Sequence, residues 1–424
     1  MVAEHSPNAG FSDVPKLPSS TEVLVVGAGP AGSAAAAWAA RDGRDVLLVD
    51  AATFPRDKTC GDGLTPRAVA ELDLLGLGGW VRECTVNRGL RLTGWGRELR
   101  LPWPGGTLPT VGSAVPRAEL DNRLRLAAIE SGAQMVEGAK AVGVERDGNR
   151  VRAVTLKTAA GPRTVTCEKL VVADGVRSPL GKQLGREWHR DTTYGVAARA
   201  YVSSGRHDDP WITSHLELRD DSGTLQPGYG WVFPLGTGAV NIGVGTLATA
   251  KRPTAGALRP LLELYAMQRR AEWQLAGDVH SVASALLPMG GAVSNVAGRN
   301  WALIGDAAAC VNPLNGEGID YGLEGGRLVS RALADDDLTE VWPAILRDQY
   351  GRAFSIARRL AGLLTLARFL PASGPVAMRS RAIMTVAVRV MGNLVTEEDA
   401  DVVARAWRAS GGASLRLDSR PPFS

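Results

Sequence analysis

The chain of 424 residues has little cysteine, little histidine, few aromatic residues and no long uninterrupted apolar run. Its four cysteines, Cys60, Cys84, Cys167 and Cys310, lie 24, 83 and 143 residues apart. No CxxC pair offers metal-ligand spacing, and no dense disulfide framework follows. A reducing cytosol suits such a chain. The five histidines, His5, His189, His207, His215 and His280, show neither metal spacing nor a Ser/Asp partner pattern, so no metal and no catalytic role is expected of them. Charge of one sign is also missing: 48 basic against 44 acidic residues leave a net +4, too mild and too evenly spread for a nucleic-acid footprint. Nucleic acid is therefore excluded as a partner. Residues 1–20 carry Glu4, Asp13 and Lys16 among Ser, Pro, Asn and Gly, without the apolar stretch of a signal peptide. They read as a disordered tail on a cytoplasmic protein.

A membrane-spanning helix needs about 20 apolar residues. Residues 222–250 hold no charge, yet they contain Pro227, Pro234 and seven glycines, and alternate with period two about Gly236-Thr237-Gly238. That pattern predicts a β-hairpin. Residues 281–298 are broken by Pro288-Met289-Gly290-Gly291 and predict no helix either. What the chain has in quantity is glycine, 50 residues without a collagen period, in an otherwise ordinary globular composition of 45% hydrophobic and 22% charged residues. Glycines so placed punctuate turns and close backbone approaches.

The first cluster is the most informative. A β-branched run, Thr21 to Val26, leads into Gly27-Ala28-Gly29-Pro30-Ala31-Gly32 and an alanine-rich helix through Ala40; a second strand, Arg44 to Val49, ends at Asp50. Strand, glycine turn, helix and a terminal acid at this spacing form a dinucleotide fingerprint. Gly27 allows the turn, Gly29 lets backbone approach a pyrophosphate, Gly32 lets helix and strand pack, and Asp50 would accept ribose hydroxyls. Two later strands end in similar junctions. Lys169–Ala173 leads to Asp174-Gly175, and Trp301–Ile304 leads to Gly305-Asp306, with a loop through Gly318 and Ile319 feeding a helix from Asp320 to Ala334. Its N-terminus would stabilise negative charge.

These three motifs, GxGPAG, ADGxxS and IGDAA, resemble the FAD-binding fingerprints of the flavoprotein-hydroxylase-like fold. The resemblance implies FAD, with Asp306 on the ribityl chain and Arg117 along the cofactor. From the residues alone, Arg117 also reads as a solvated helix-start arginine, and Asp174 as a turn-forming acid.

Two further features bear on chemistry. Tyr229, Trp231 and Phe233 alternate along a strand, so their rings share one face; such a row is either plain core or the wall of a lipid-lined cavity. Cys60 lies in the loop Lys58-Thr59-Cys60-Gly61-Asp62-Gly63, where Lys58 and Arg56 would lower its pKa, or where it is simply a small buried thiol. Together, Lys58-x-Cys60-Gly61 and Tyr229-x-Trp231-x-Phe233-Pro234 resemble the geranylgeranyl reductase family of flavoproteins from about Thr21 onward. The runs from Cys60 to Arg67 and from Ile304 to Tyr321, and the closing Arg420-Pro421-Pro422-Phe423-Ser424, resemble more narrowly the actinobacterial menaquinone reductases. Gln226 stands where the family motif carries proline.

The resemblance implies a mixed α/β fold: a Rossmann-like FAD-binding domain (21–190 plus 288–335), an antiparallel β-sheet substrate domain (191–287, with strands such as Tyr194–Val202 and His215–Leu218) and a helical C-terminal region (336–424). It implies saturation of a carbon–carbon double bond in a menaquinone or other prenyl-lipid tail. Cys60, Tyr229 and Trp231 are the catalytic candidates, Tyr229, Trp231 and Phe233 the substrate contacts, and Gly61, Asp62 and Gly63 join the cofactor set. Proton delivery is open among Cys60, Tyr229 and a held water. The electron donor, whether NAD(P)H, ferredoxin or a quinol, has no visible site. Residues 352–396 contain seven arginines and no Asp, Glu or Lys, which predicts an interfacial helix on the inner face of the cell membrane, the other reading being a core helix with outward arginines. The rival functions are a flavin-dependent aromatic monooxygenase or halogenase and a non-catalytic prenyl-lipid-binding flavoprotein.

Overall fold

The computed structural model describes residues 17–253 and 257–424. All but the last few residues of the expected N-terminal tail lie outside them. The first sheet follows the order Ala297–Gly298, Trp301–Leu303, Gly161–Val172, Ser20–Val26, Val46–Val49, Gln134–Val136, and all of these pair in parallel except the two-residue edge strand. The hairpin of Lys140–Asp147 and Arg150–Thr158 hangs from Gly161–Val172. Parallel strands of Val, Leu and Ile need both faces covered. Helix Pro30–Arg41 packs on this sheet with its alanines buried, beside helices Arg117–Glu130 and Ile319–Ala332. The three strand–turn junctions read from the sequence end on neighbouring strands of this sheet, so their turns share one edge.

The second sheet has seven strands in the order Leu275–Pro288, Tyr194–Ser204, Ala239–Ala248, Gly228–Pro234, Ile212–His215, Gly89–Gly94, Arg97–Pro102. The hairpin about Gly236-Thr237-Gly238 is present, with Gly228–Pro234 antiparallel to Ala239–Ala248. Two details differ from the sequence reading. The short strand is Ile212–His215, not His215–Leu218, because its register is fixed by parallel pairing to Gly89–Gly94. That pairing also brings residues 89–102, expected with the nucleotide-binding segment, into the second sheet, so the sheet is mixed. Past residue 335 the chain is helical, with Leu338–Leu346, Arg352–Leu364, Phe369–Ala377, Arg381–Met391 and Val402–Arg416. Met378, Met384 and Val388 of this region join Leu92, Leu101, Trp103 and Ile212 in a separate core against the second sheet.

Helix Ile319–Ala332 seats on helix Pro30–Arg41 through Gly326, where a Cβ would lie 2.7 Å from both the Ala34 Cβ and the Ala35 nitrogen and 2.8 Å from the Ala31 oxygen. Backbone on two sides cannot yield as a side-chain tip can. Gly326→Val is therefore expected to destabilise the protein by about 1–3 kcal/mol, seen as a lowered midpoint in urea; an unchanged midpoint would contradict this packing.

Candidate active site

Every site residue proposed from the sequence except Gly32 lines one cavity of about 790 Å³ between the two sheets and the C-terminal helices. Gly32 sits behind it, where a Cβ would fall 1.8 Å from the Gly27 oxygen. Gly27 has φ +103° and backs onto the Ala173 carbonyl, a conformation and a clearance that only glycine meets. Gly29 is different: a Cβ there would touch only the guanidinium ends of Arg56 and Arg117, at 3.7 and 3.9 Å. The helix that Gly29 opens has no side-chain cap. Free N–H groups, the helix dipole and two guanidinium groups thus converge on one point, which is a binding site for an anion.

Asp121, which the sequence reading missed, holds both arginines there. It accepts from Arg117 Nε and Nη2 at 2.7 and 2.8 Å and from Arg56 Nη1 at 2.9 Å, and is itself fully buried. The i,i+4 spacing of Arg117 and Asp121 was the available signal. Arg117 is buried and paired, not a solvated helix-start residue. Asp50 lines the cavity while accepting the Ala28 and Ala52 N–H groups, both at 2.8 Å. Asp174 gives one oxygen to the Leu180 N–H at 2.8 Å, as a turn-forming acid does; the other oxygen is buried without a hydrogen-bond partner among the described residues, and the residue lines the cavity. Asp306 and the start of helix Ile319–Ala332 complete this end, with Gly318 close to the Asp306 carboxylate.

At the other end stands the aromatic row. Tyr229 pairs in register with Gly245, Trp231 with Gly243 and Phe233 with Asn241. The Trp231 ring lies across Gly243, where a Cβ would come within 2.0 Å of it, and ring centroids follow one another at 5.9 and 6.2 Å. Gly61 and Gly63 press against Phe233 and Trp231 from the facing loop. The glycines of Cys60-Gly61-Asp62-Gly63 therefore serve contact with the aromatic row. Asn241, also missed, ties the two together: Trp231 Nε1 donates to its oxygen at 2.9 Å, and its amide donates to the Cys60 carbonyl at 2.9 Å and to Asp62 at 2.8 Å. Asp62, left-handed at φ 63°, accepts further from Tyr201 Oη at 2.7 Å and from the Arg117 N–H at 3.3 Å. Tyr229 Oη donates to the Asn315 carbonyl at 2.5 Å.

Burial raises the Cys60 thiol pKa, against an opposing pull from Arg117. The expectation that Lys58 and Arg56 lower it is corrected: Arg56 is engaged by Asp121 and Asp50, and Arg117 is the neighbouring cation. Cys60 is thus a thiol that keeps its proton. Burial likewise lifts the Asp62 carboxyl from 3.8 to about 6, opposed by its bonds from Asn241 and Tyr201.

The C-terminal helices cover the cavity. Met378, Met384, Val388 and Met391 line it, and Gly374 rests on the Trp95 ring, which a Cβ would meet at 2.2 Å. A strap after helix Arg381–Met391 is latched to the nucleotide side: Arg67 donates to the Asn393 and Val395 carbonyls at 2.8 and 2.9 Å, Asn393 to Asp320 at 2.8 Å, and Asn312 to the Met391 carbonyl at 3.0 Å. The seven arginines of residues 352–396 do not form one face. Arg352, Arg359 and Arg389 pair with acids, and Arg358 donates to the Gly290 carbonyl. Arg368, Arg379 and Arg381 are exposed, with no ion pair among the described residues.

Residues 20–244 match the family model of the FAD binding domain. A menaquinone reductase of Mycobacterium tuberculosis is 63% identical over 405 residues, covering 96% of this chain and 99% of its own length. A digeranylgeranylglycerophospholipid reductase of Methanopyrus kandleri is 30% identical over 355 residues, 81% of this chain and 90% of its own. Among solved structures, a geranylgeranyl bacteriochlorophyll reductase-like protein of Thermoplasma acidophilum superposes with a TM-score of 0.71 at 19% identity, covering 94% of this chain and 98% of that one; it shares the fold. FAD is the cofactor, and the anion site at Gly29, Arg56 and Arg117, with the unpartnered Asp174 oxygen, fits its charged and polar half.

Because the native state keeps a proton on Asp62 that the unfolded chain has released, stability contributed by this group falls between about pH 4 and pH 6. Asp62→Asn, which tolerates the left-handed backbone, is expected to flatten that fall by roughly 2 kcal/mol. Urea unfolding of both proteins at pH 4 and pH 7 checks it: an equal fall in both would show Asp62 ionised throughout.

Proposed function

This chain belongs to the menaquinone reductase family of FAD-binding flavoproteins, and from that premise we propose that it saturates a double bond in the isoprenoid tail of menaquinone, taking the tail up from a membrane surface. The observation that carries the reading is the aromatic row packed on the Cys60 loop inside the cavity that also holds the FAD-binding turn. Reduced FAD supplies the hydride. An isolated trisubstituted alkene accepts a hydride only as positive charge develops on its tertiary carbon, so the protein must stabilise a cation and place an acid. The π-faces of Trp231 and Tyr229 serve the first need. Trp231 is held flat by Gly243 and by its bond to Asn241, and so is oriented before the tail arrives. The Tyr229 proton is committed to the Asn315 carbonyl. Cys60, a protonated thiol beside Arg117, faces the tail. The cover is lined by methionines, whose flexible side chains suit an irregular chain.

No helix among the described residues is long and apolar enough to cross a membrane, though the pair Leu338–Leu364 and Phe369–Ala377, bent by 107°, passes by length and composition together. The cover instead presents an outer face: Leu366, Phe369, Val376 and Ile383 are exposed around a shallow groove that Arg368 also lines, and Arg379 and Arg381 are exposed in the neighbouring segment, none of the three in an ion pair among the described residues. Exposed apolar residues with cations nearby suit an anionic bilayer. The groove shares Ser373 and Ala377 with the inner cavity, which supports uptake of the tail at this helix.

The protein reduced with dithionite under anaerobic conditions and mixed with menaquinone in detergent is expected to show flavin reoxidation with two hydrogens gained in the tail, read by absorbance and mass together. Conversion of quinone to quinol alone, or reoxidation only on admission of air, would overturn the reading. At about 1 kcal/mol per arginine, replacing Arg368, Arg379 and Arg381 together by glutamine should lower partition onto anionic vesicles about a hundredfold, with partition onto neutral vesicles little changed; equal loss on both would count against the charge argument.

A further inference from the structure

Saturation needs one proton for every hydride, and few groups in the cavity have one to give. Asp50, Asp174 and Asp306 belong to the three strand–turn junctions, and Asp57 is tied to Arg199. Around the aromatic row stand Cys60, Asp62, Tyr229 and Glu317. Asp62 is taken up as an acceptor by three donors, and the Tyr229 proton by a carbonyl.

Glu317 is the exception. It lies in the same loop as Asn315, whose carbonyl anchors Tyr229, and its side chain lines the cavity. Thr65 donates to its Oε1 at 2.6 Å, and the Asn315 amide approaches its Oε2 at 3.5 Å. Among the described residues no cation pairs with it, since the nearby Arg67 is turned to Glu324 and the strap carbonyls. Burial, and Asp320 on the following helix, hold its proton on, against the bonds from Thr65 and Asn315. The result is a carboxylic acid that keeps its proton, in a residue that lines the cavity, with one oxygen held firmly by Thr65 and the other only loosely by Asn315.

We propose that Glu317 is the acid that delivers the proton to the alkene, a role that rests on the tail-saturating activity proposed above. The alkene gains a hydride, one hydrogen with two electrons, on one carbon from the reduced cofactor, and the Glu317 proton on the other. The π-bond breaks, two C–H bonds form, the flavin is oxidised by two electrons, and Glu317 is left as a carboxylate that solvent reprotonates. Glu317 is a carboxylic acid, and it lies in the loop that the aromatic row is anchored to.

The groups facing Glu317 are Thr65 and Asn315, which bond it, Asp320 on the following helix, with Arg67 and Asn393 behind that acid, and Tyr229 on the aromatic strand. The test follows reoxidation of the dithionite-reduced holoenzyme by menaquinone across pH, with product mass. Wild-type protein that fails to saturate the tail would refute the activity itself, and so is told apart from failure of the Glu317 role. Given saturation, Glu317→Gln is expected to keep FAD and quinone binding and to slow reoxidation by about 10²–10⁴-fold. The alkaline fall in rate should survive in Cys60→Ser and vanish in Glu317→Gln. Thr65→Val, which removes a bond favouring the carboxylate, should move that fall to higher pH, and the infrared band of a protonated carboxyl should be absent from Glu317→Gln. A Glu317→Gln rate near wild type, or an alkaline fall lost in Cys60→Ser and kept in Glu317→Gln, would overturn the assignment. If Glu317→Gln loses FAD, Thr65→Val decides, and an unmoved alkaline fall overturns it.

Discussion

One buried carboxylate sets the distance across the cavity. Asp62 belongs to the loop that follows the nucleotide-binding unit, and its partners are the Arg117 backbone on one side and Tyr201 and Asn241 of the second sheet on the other. Both sheets are thereby referred to a single group in a backbone conformation that few residues adopt. The Cys60 carbonyl and the Trp231 indole meet on Asn241, one bond further along. The position of the thiol relative to the aromatic row is consequently a property of this network, not of either sheet alone. A buried network of this kind rigidifies a site when every member is satisfied.

The parts that sequence made legible are those governed by local rules. Gly27 and Gly32 declare a turn and a helix seat through spacing alone, and both have that use in the fold, while Gly29 stands open toward Arg56 and Arg117. The aromatic row was visible because side chains on a strand alternate. Its purpose was not, because that rests on Gly243, Gly245 and Asn241 across the hairpin, and on Gly61 and Gly63 far earlier in the chain. Asp121, Asn241 and Glu317 are polar residues whose meaning lies in partners up to 252 residues away, as in the bond from Thr65 to Glu317. No periodicity announces such a contact. The same holds for strands Gly89–Gly94 and Arg97–Pro102, whose alternation fits any sheet, and whose place is set by pairing with Ile212–His215.

The arginine-rich segment is instructive in the opposite way. Counted along the chain it looks uniformly basic, because its acids come from elsewhere: Glu397, Asp399, Asp401 and Asp418 lie beyond its end. Three-dimensional pairing therefore reduces seven arginines to three that meet solvent without an ion pair among the described residues, Arg368 and Arg379 flanking helix Phe369–Ala377 and Arg381 opening the next. The alternatives of interfacial helix and core helix were not exclusive, since the helices Phe369–Ala377 and Arg381–Met391 each have a buried and an exposed side.

That two-sidedness has a thermodynamic consequence. Helix Phe369–Ala377 is only nine residues long, contains Gly374 and Pro375, and rests on Trp95 without a side chain between them. It lines both the inner cavity and the outer groove, so in the proposed function it would be shared by two equilibria, one with lipid and one with the tail. A surface that favours one setting of this helix alters affinity for the tail by the same factor by which the tail alters affinity for the surface. On the proposed uptake from a membrane surface, the composition of the bilayer would then bias the affinity of the site for the tail.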